Sequence, residues 1–188
     1  MGYKALLVID MQNCFVDGGE LGIKGGHALG SDIKDFIDKH QKDYAAIISS
    51  QDWHIDPGHH FSDNPDYVDT WPKHGEANTF SAEIIDELKH ITFDFQIKKG
   101  QHSPGYSAFE GASDKESKLD DYLKKHEIDT VDICGLALSH CVLQSALDAQ
   151  RLGYKTCVFS NLSLAVDASK TDEILKQLQD AGVQIKRA

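Results

Sequence analysis

The fold is decided by the stretch at residues 131–141, which reads VDICGLALSHC. It begins as a dense apolar run typical of a buried β-strand and leads into a helical pattern over Ser139–Leu152 that ends at Gly153. The same order of strand and then helix recurs along the chain with short connections. This alternation predicts an α/β fold in which helices cover both faces of a parallel sheet.

Six short apolar runs are the predicted strands. They are dense rather than alternating, as expected when both faces of a sheet are buried. The predicted strands are Ala5–Ile9, Tyr44–Ser50, Phe95–Lys98, Thr130–Cys134, Lys155–Phe159 and Val183–Ile185. We therefore expect a three-layer α/β/α, Rossmann-like fold with a six-stranded, mainly parallel sheet, and a single domain over residues 1–188.

Apolar residues at helical spacing predict five helices between these strands. Ser31 is expected to cap the first, and Ser169 the last, which extends to Ala181. The remaining predicted helices cover Ser81–His90, residues 114–127 and Ser139–Leu152. Two long segments without periodicity, at 12–30 and 53–78, are predicted loops, and long loops inside a compact domain are usually functional.

The composition of the 188 residues is typical of a soluble globular protein, with 40% hydrophobic and 26% charged residues. The net charge of −11 argues against nucleic acid or an anionic membrane as a partner and favours a small neutral or cationic substrate. No apolar run approaches the ~20 residues of a membrane span, and the N-terminus lacks the cleavage site of a signal peptide. The four cysteines follow no zinc-binding spacing, so we expect free thiols in a reducing, cytoplasmic setting.

The end of the second predicted strand and the loop after it carry residues suited to a divalent metal. Asp52 and His54 are two positions apart and point to the same side if the strand geometry continues. His60 and His74 could fold back onto them from the loop. Three imidazoles and one carboxylate suit Zn²⁺, Mn²⁺ or Fe²⁺. The alternative interpretation is a set of solvated loop histidines, and spacing alone does not decide between His59 and His60.

Three further polar residues follow predicted strands and supply an acid/base, a cation and a thiol. Asp10 follows the first strand, Lys99 follows the third, and Cys141 lies in the first turn of the helix after the fourth. Backbone N–H groups and the positive end of that helix are expected to lower the pKa of the thiol and to stabilise an oxyanion. A carboxylate can take the proton of a thiol, and an ammonium keeps that carboxylate charged.

Each of these three residues also has a structural interpretation. Asp10 could cap a turn, Lys99 could be a surface charge, and Cys141 could be a packed helix residue. Open α/β folds, however, bind ligands at the carboxyl edge of the sheet, where these strand ends meet. The sequence therefore predicts that the three side chains lie together in one site.

Five motifs are spread over the whole chain. They are VIDMQNCF at residues 8–15, DWHIDPGHHF at 52–61, WPKHG at 71–75, KG at 99–100 and GLALSHC at 135–141. Together and in this order they resemble the nicotinamidase/pyrazinamidase family of the isochorismatase-like cysteine hydrolase superfamily. The histidine motifs are the more specific part, since an acid, a lysine and a cysteine alone would indicate only the superfamily.

The resemblance implies a role for each matching residue. The implied catalytic triad is Asp10, Lys99 and Cys141. The implied metal ligands are Asp52, His54, His60 and His74. His60 is favoured over His59 by its position before Phe61, and Asp63 is the conceivable substitute, because some relatives use an acidic residue there. The metal would be one divalent ion, namely zinc, iron or manganese.

The resemblance also implies how a substrate would be held. The N–H groups of Ala137 and Cys141 would form an oxyanion hole, next to a cis peptide bond between Leu136 and Ala137. The implied substrate-binding residues are Phe15, Trp71, Tyr106, Leu136 and Ala137. The metal would bind the nitrogen of a pyridine ring and set the orientation of that ring.

The activity implied by the resemblance is hydrolysis of nicotinamide to nicotinate and ammonia in NAD salvage, with pyrazinamide accepted as well. One alternative is another hydrolase of the superfamily, acting on isochorismate or an N-carbamoyl compound; the sequence offers no basic pocket residues for an anionic substrate. A second is a non-catalytic metal-binding protein. The implied partner is a small molecule, and a homo-oligomer is compatible with the sequence.

Overall fold

The computed structural model describes residues 2–115 and 117–188. The six predicted strands are all present, although most extend further than predicted. The strands are β1 (Tyr3–Ile9), β2 (Ala46–Asp52), β3 (Phe95–Lys99), β4 (Ile128–Leu136), β5 (Lys155–Leu164) and β6 (Gln184–Lys186). They form one sheet in the order β3-β2-β1-β4-β5-β6, and every neighbouring pair is parallel. The α/β class is therefore confirmed, with a sheet that is wholly rather than mainly parallel.

In the described residues, four α-helices lie between the strands. They are α1 (Gly26–His40), α2 (Leu119–Lys125), α3 (Leu143–Arg151) and α4 (Thr171–Asp180). The helix predicted over residues 114–127 is shorter than expected, and position 116 lies outside the described residues. None of the helices in the described part of the chain combines the length and the apolar character that crossing a membrane would require.

Both predicted N-caps are wrong. Ser31 lies inside α1. The helix begins earlier than predicted, within the predicted loop at 12–30, because Gly25 before it adopts a left-handed conformation with φ at 89°. Ser169 lies in a 3-10 turn before α4, where its N–H donates to the Asp167 carboxylate at 2.9 Å. The aspartate two positions upstream is therefore the capping side chain.

The helix predicted over Ser81–His90 is also wrong. Two 3-10 turns, Phe80–Ala82 and Asp86–Leu88, stand in its place. The segment between them is held extended, because Ile85 N–H donates to the Met11 carbonyl at 3.0 Å and Ile84 forms an antiparallel bridge with Gln12. Tertiary pairing with the chain after β1 thus overrides the helical spacing.

The core has two parts, one on each face of the sheet. Alternate residues of β1 point to opposite faces: Leu6 and Val8 pack with apolar residues of α1, while Leu7 packs with those of α2, α3 and α4. The three layers expected from the sequence are therefore confirmed. The carboxyl edge of the sheet lies between these layers, where the connections from β1 and β4 leave in opposite directions and open a crevice.

Gly135, near the end of β4, lies where β4 and β1 approach too closely to leave room for a side chain. Its φ is +116°, and an added Cβ would lie 2.1 Å from the Ile9 carbonyl oxygen of β1. We expect Gly135→Ala to lower the free energy of unfolding by about 4 kcal/mol or more, because both the conformation and the contact are lost. Urea denaturation measures this loss.

Gly153 provides the matched control for that substitution. Its φ is also positive, at +94°, but nothing lies within 4 Å of an added Cβ. Gly153→Ala should therefore cost only about 1–2 kcal/mol, the strain of a left-handed residue alone. Equal losses for the two variants would contradict the steric explanation.

Candidate active site

The carboxyl edge of the sheet brings together the acid, the cation and the thiol predicted from the sequence. Lys99 ends β3, and its ammonium Nζ lies 2.8 Å from Asp10 Oδ2 and 3.4 Å from Cys141 Sγ. A carboxylate oxygen of Asp10 is within 4.8 Å of the same sulfur. Ser50, in β2, donates its hydroxyl to Asp10 Oδ1 at 2.6 Å and fixes that carboxylate from the other side.

The electrostatics of this set depend on its burial. Asp10 is fully buried, and desolvation raises the pKa of its carboxyl, although the Lys99 ammonium opposes the rise. Burial alone would lower the pKa of Lys99, but the charges of Asp10 and Asp52 hold it well above its usual range. Lys99 therefore stays protonated, and Asp10 is a stronger base than an exposed aspartate.

The predicted activation of Cys141 by the start of a helix is wrong. Cys141 lies in a π-helical turn, Leu138–Val142, that precedes α3. Burial raises the pKa of its thiol well above the usual value, and the carboxylates of Asp10 and Asp52 add to that rise against the opposing effect of Lys99. The resting thiol is therefore neutral at neutral pH, so it needs a base that takes its proton when it reacts.

The four predicted metal ligands also lie together, next to Lys99 at the ends of β2 and β3. Asp52 ends β2, and its Oδ2 is 3.5 Å from His54 Nε2 and 3.6 Å from His74 Nε2. One ring nitrogen of each of His54, His60 and His74 lies within 4.8 Å of the others. The other carboxylate oxygen of Asp52 contacts the Lys99 ammonium. Asp52 therefore joins the two sets.

Backbone groups orient the rings of two of these histidines. His54 Nδ1 pairs with the Gly100 carbonyl at 2.6 Å, and His74 Nδ1 pairs with the Pro72 carbonyl at 2.7 Å. Since a carbonyl only accepts, each Nδ1 carries a proton, and each Nε2 is the ring nitrogen that faces Asp52. Backbone carbonyls orient metal-binding histidines in the same way.

The structure also separates the alternatives within the histidine loop. His60 is buried, at 3% exposure, whereas His59 and Asp63 are both exposed. Burial is expected to lower the pKa of His60 to about 4, so its ring is neutral and available as a ligand. His60 is therefore the member of this group that joins His54 and His74.

A cavity of about 350 Å³ opens onto both sets. Phe15, Trp71 and Tyr106, predicted as substrate-binding aromatics, line it together with Cys141 and Ala137. Trp71 Nε1–H donates to the Tyr106 hydroxyl at 3.0 Å, which locks these two walls together. The Leu136–Ala137 peptide bond is cis, as predicted. The Leu136 side chain is fully buried in the core and is not among the residues that line the cavity.

Several residues at the site were not predicted. His140 lines the cavity beside Cys141 and packs edge-on against Trp71, with ring centroids 5.5 Å apart. Gln12 exchanges two hydrogen bonds with the backbone of Asp52, at 2.7 and 2.8 Å, and so holds the end of β2. Gln12 lies in the motif at residues 8–15 and His140 in the motif at 135–141, and membership of these motifs is the sequence signal that could have identified them. Glu110 accepts the Tyr106 and Ser107 N–H groups at 2.9 and 3.0 Å.

All four cysteines are free, as expected, and all four are buried. Cys141 is the cysteine that lines the described cavity next to Lys99, whereas Cys134 and Cys157 lie in strands of the core. The thiol chemistry of the site therefore rests on Cys141.

Comparisons with known proteins agree with this arrangement. The family model for the Isochorismatase domain matches residues 4–188. The chain is 37% identical to a nicotinamidase/pyrazinamidase of Mycobacterium tuberculosis, over 97% of each chain. Its structure resembles that of a Pyrococcus horikoshii pyrazinamidase in complex with zinc, with a TM-score of 0.84, 28% identity and 99% of each chain covered. It also resembles PnC1 from L. infantum in complex with nicotinate, with a TM-score of 0.85, 28% identity and coverage of 99% and 93%. The chain therefore belongs to the isochorismatase domain family.

Proposed function

We propose that this protein is a metal-dependent nicotinamidase that hydrolyses nicotinamide to nicotinate and ammonia, as a step of NAD salvage, and that it also deamidates pyrazinamide. The observation that carries the proposal is one cavity that joins a buried Asp10–Lys99–Cys141 set to a buried carboxylate and three histidines. Relatives named nicotinamidase or pyrazinamidase, and neighbours solved with zinc or nicotinate, support it.

The walls of the cavity suit a neutral aromatic amide. Phe15, Trp71 and Tyr106 offer flat apolar surfaces to a ring, and the volume of about 350 Å³ accommodates a molecule of that size. Among the described residues, no lysine or arginine lines the cavity. An anion such as isochorismate would find no lysine or arginine partner on the walls that the structure describes, which favours the amide over isochorismate.

Asp52, His54, His60 and His74 would hold one divalent ion. Their chemistry fits, because His54 Nε2 and His60 Nδ1 are buried without a hydrogen-bond partner, and Asp52 keeps a low pKa although burial opposes its ionisation. Zinc, iron and manganese all suit imidazole and carboxylate ligands. When bound, the ion supplies a Lewis-acid position for the ring nitrogen.

In the proposed mechanism, Cys141 is the nucleophile and Asp10 the general base. Asp10 takes the thiol proton, and the resulting sulfur attacks the carboxamide carbon to form a carbon–sulfur bond. Lys99 holds both side chains in place, because its Nζ lies 2.8 Å from Asp10 Oδ2 and 3.4 Å from Cys141 Sγ. The negative charge that develops on the carboxamide oxygen is stabilised by the N–H groups of Ala137 and Cys141, and each such donor is typically worth about 10²–10³ in rate.

The second half of the reaction returns the site to its resting state. Asp10 gives its proton to the departing nitrogen, the carbon–nitrogen bond breaks, and ammonia leaves a thioester on Cys141. Asp10, again a carboxylate, then takes a proton from a water molecule whose oxygen attacks the thioester carbon. Collapse of this second intermediate breaks the carbon–sulfur bond, and Asp10 returns its proton to the departing sulfur, which restores the thiol. The nicotinic acid that leaves loses its own proton to solvent and becomes nicotinate.

Ammonia release by the zinc-, iron- or manganese-loaded protein tests this function. We expect turnover of nicotinamide and pyrazinamide, and a kcat/KM for benzamide about 10²-fold lower, because benzamide lacks the ring nitrogen that would be held. Benzamide hydrolysed as fast as nicotinamide would contradict the orienting role of the metal. Absence of turnover with both pyridine-type amides would overturn the proposed function and direct attention to isochorismate and N-carbamoyl substrates.

A further inference from the structure

Glu20 places a carboxylate on the wall of the same cavity. It lies in the segment between β1 and α1, and it lines the cavity together with Phe15, Trp71 and Cys141. The residue is exposed, and its carboxylate is one of the 30 acidic groups that give the chain its formal net charge of −11. The proposed mechanism gives this side chain no role in bond making or breaking.

The position of Glu20 is fixed by a hydrogen bond. Ser81 donates its hydroxyl to Glu20 Oε2 at 3.2 Å, and the same hydroxyl oxygen accepts the Gly75 N–H at 2.8 Å. Gly75 follows His74, one of the proposed metal ligands. The carboxylate is therefore tied to the segment that shapes the cavity and does not swing freely in solvent.

Glu20 has no side-chain cation as a partner among the residues that the structure describes. Ser81 is its hydrogen-bond partner among the described residues, and no lysine or arginine of the described chain lines the cavity. The other carboxylate on the wall, Asp52, is paired with Lys99 and faces the proposed metal ligands. Of the two carboxylates on the described walls of this cavity, Glu20 is thus the one without a lysine partner, in a protein of net charge −11.

The proposed reaction converts a neutral amide into a carboxylate anion inside this cavity. We propose that Glu20 is a specificity-determining residue that weakens the binding of the anionic product, and of other anionic ring compounds, relative to the neutral substrate. This inference rests on the proposed function. A like charge on the wall repels nicotinate but has little effect on nicotinamide, so product leaves more readily and inhibits less.

Glu20→Gln tests the inference, because glutamine keeps an oxygen that can accept from Ser81 and removes only the charge. The quantity to compare is the ratio of Ki for nicotinate to KM for nicotinamide, measured with the metal-loaded protein at low ionic strength. We expect this ratio to fall about 2- to 5-fold in the variant, as estimated for one charge interacting across a solvated cavity. The fall should shrink at about 1 M salt, where the Debye length is about 3 Å.

Glu173→Gln is the matched control. Glu173 is exposed on α4, so the control makes the same change in net charge on another part of the fold. An unchanged ratio in Glu20→Gln, or an equal fall in both variants, would overturn the inference. Calorimetric titration with nicotinate compares the affinities of the two variants for the anion and does not require turnover. Absence of turnover in the unsubstituted protein would therefore count against the proposed function and not against the inference about Glu20.

Discussion

Replacing Cys141 with alanine is expected to lower kcat for nicotinamide at least about 10⁴-fold, with little change in the affinity for nicotinate. The substitution removes the atom that forms the thioester, and no other cysteine of the described chain lines the cavity. Loss of a nucleophile removes a whole reaction path rather than one interaction, which explains the size of the effect. Initial rates of ammonia release measure it, and binding of nicotinate shows whether the cavity is intact.

Cys157→Ala is the control for this experiment. Cys157 is buried in β5 and packs in the core, so the same change of side chain occurs without touching the cavity. We expect this variant to keep kcat within about 2-fold and to lose only a modest amount of stability, as conservative core truncations do. Comparable turnover in Cys141→Ala and the unsubstituted protein would eliminate Cys141 as the nucleophile.

Removal of the divalent metal with a chelator is expected to abolish turnover and to lower the melting temperature. Three imidazoles and a carboxylate gathered in a buried site bind the ion only in the folded state. At ~1,000 times the dissociation constant, such binding stabilises the fold by about 4 kcal/mol. For a chain of this length, that corresponds to a decrease of about 8–16 °C on stripping. Calorimetry with and without chelator, and metal analysis of both samples, provide the measurement.

Variants of the neighbouring residues His59 and His60 distinguish the loss of a proposed metal ligand from the loss of any loop histidine. His60→Ala removes a buried proposed ligand and should weaken zinc binding about 10-fold or more, whereas His59→Ala removes an exposed ring and should leave it unchanged. The proposed site would be contradicted if chelation removed all metal from the protein but changed neither its melting temperature nor its activity.

Much of this architecture follows from sequence patterns, because the strands are dense apolar runs and the polar residues that follow them mark the carboxyl edge of the sheet. Asp10, Asp52 and Lys99 are brought together there by strand pairing alone. The helical pattern predicted the wrong structure for Ser81–His90. Two short 3-10 turns fit the same spacing of apolar residues equally well once Ile85 pairs with Met11. Local spacing could not show that long-range constraint.

The electrostatic state of the site was less accessible from the sequence. A thiol near the start of a helix is usually acidic, but at Cys141 burial and two carboxylates outweigh that effect, and both depend on contacts between distant segments. His140 and Glu20 were missed for a related reason. Each gains its place on the cavity wall from partners elsewhere in the chain, Trp71 for one and Ser81 for the other.

The order of the strands bears on when the protein becomes active during its synthesis. β1 and β2 leave the ribosome early, yet β1 pairs on its other side with β4, which is made much later and directly precedes Cys141. Asp10 and Cys141 come together only where β4 pairs with β1, so a chain that has not yet added β4 lacks this pair of acid and thiol. Pairing of segments so distant along the chain is slow compared with local helix formation. We therefore expect the insertion of β4 to be the step that assembles the set of Asp10, Lys99 and Cys141.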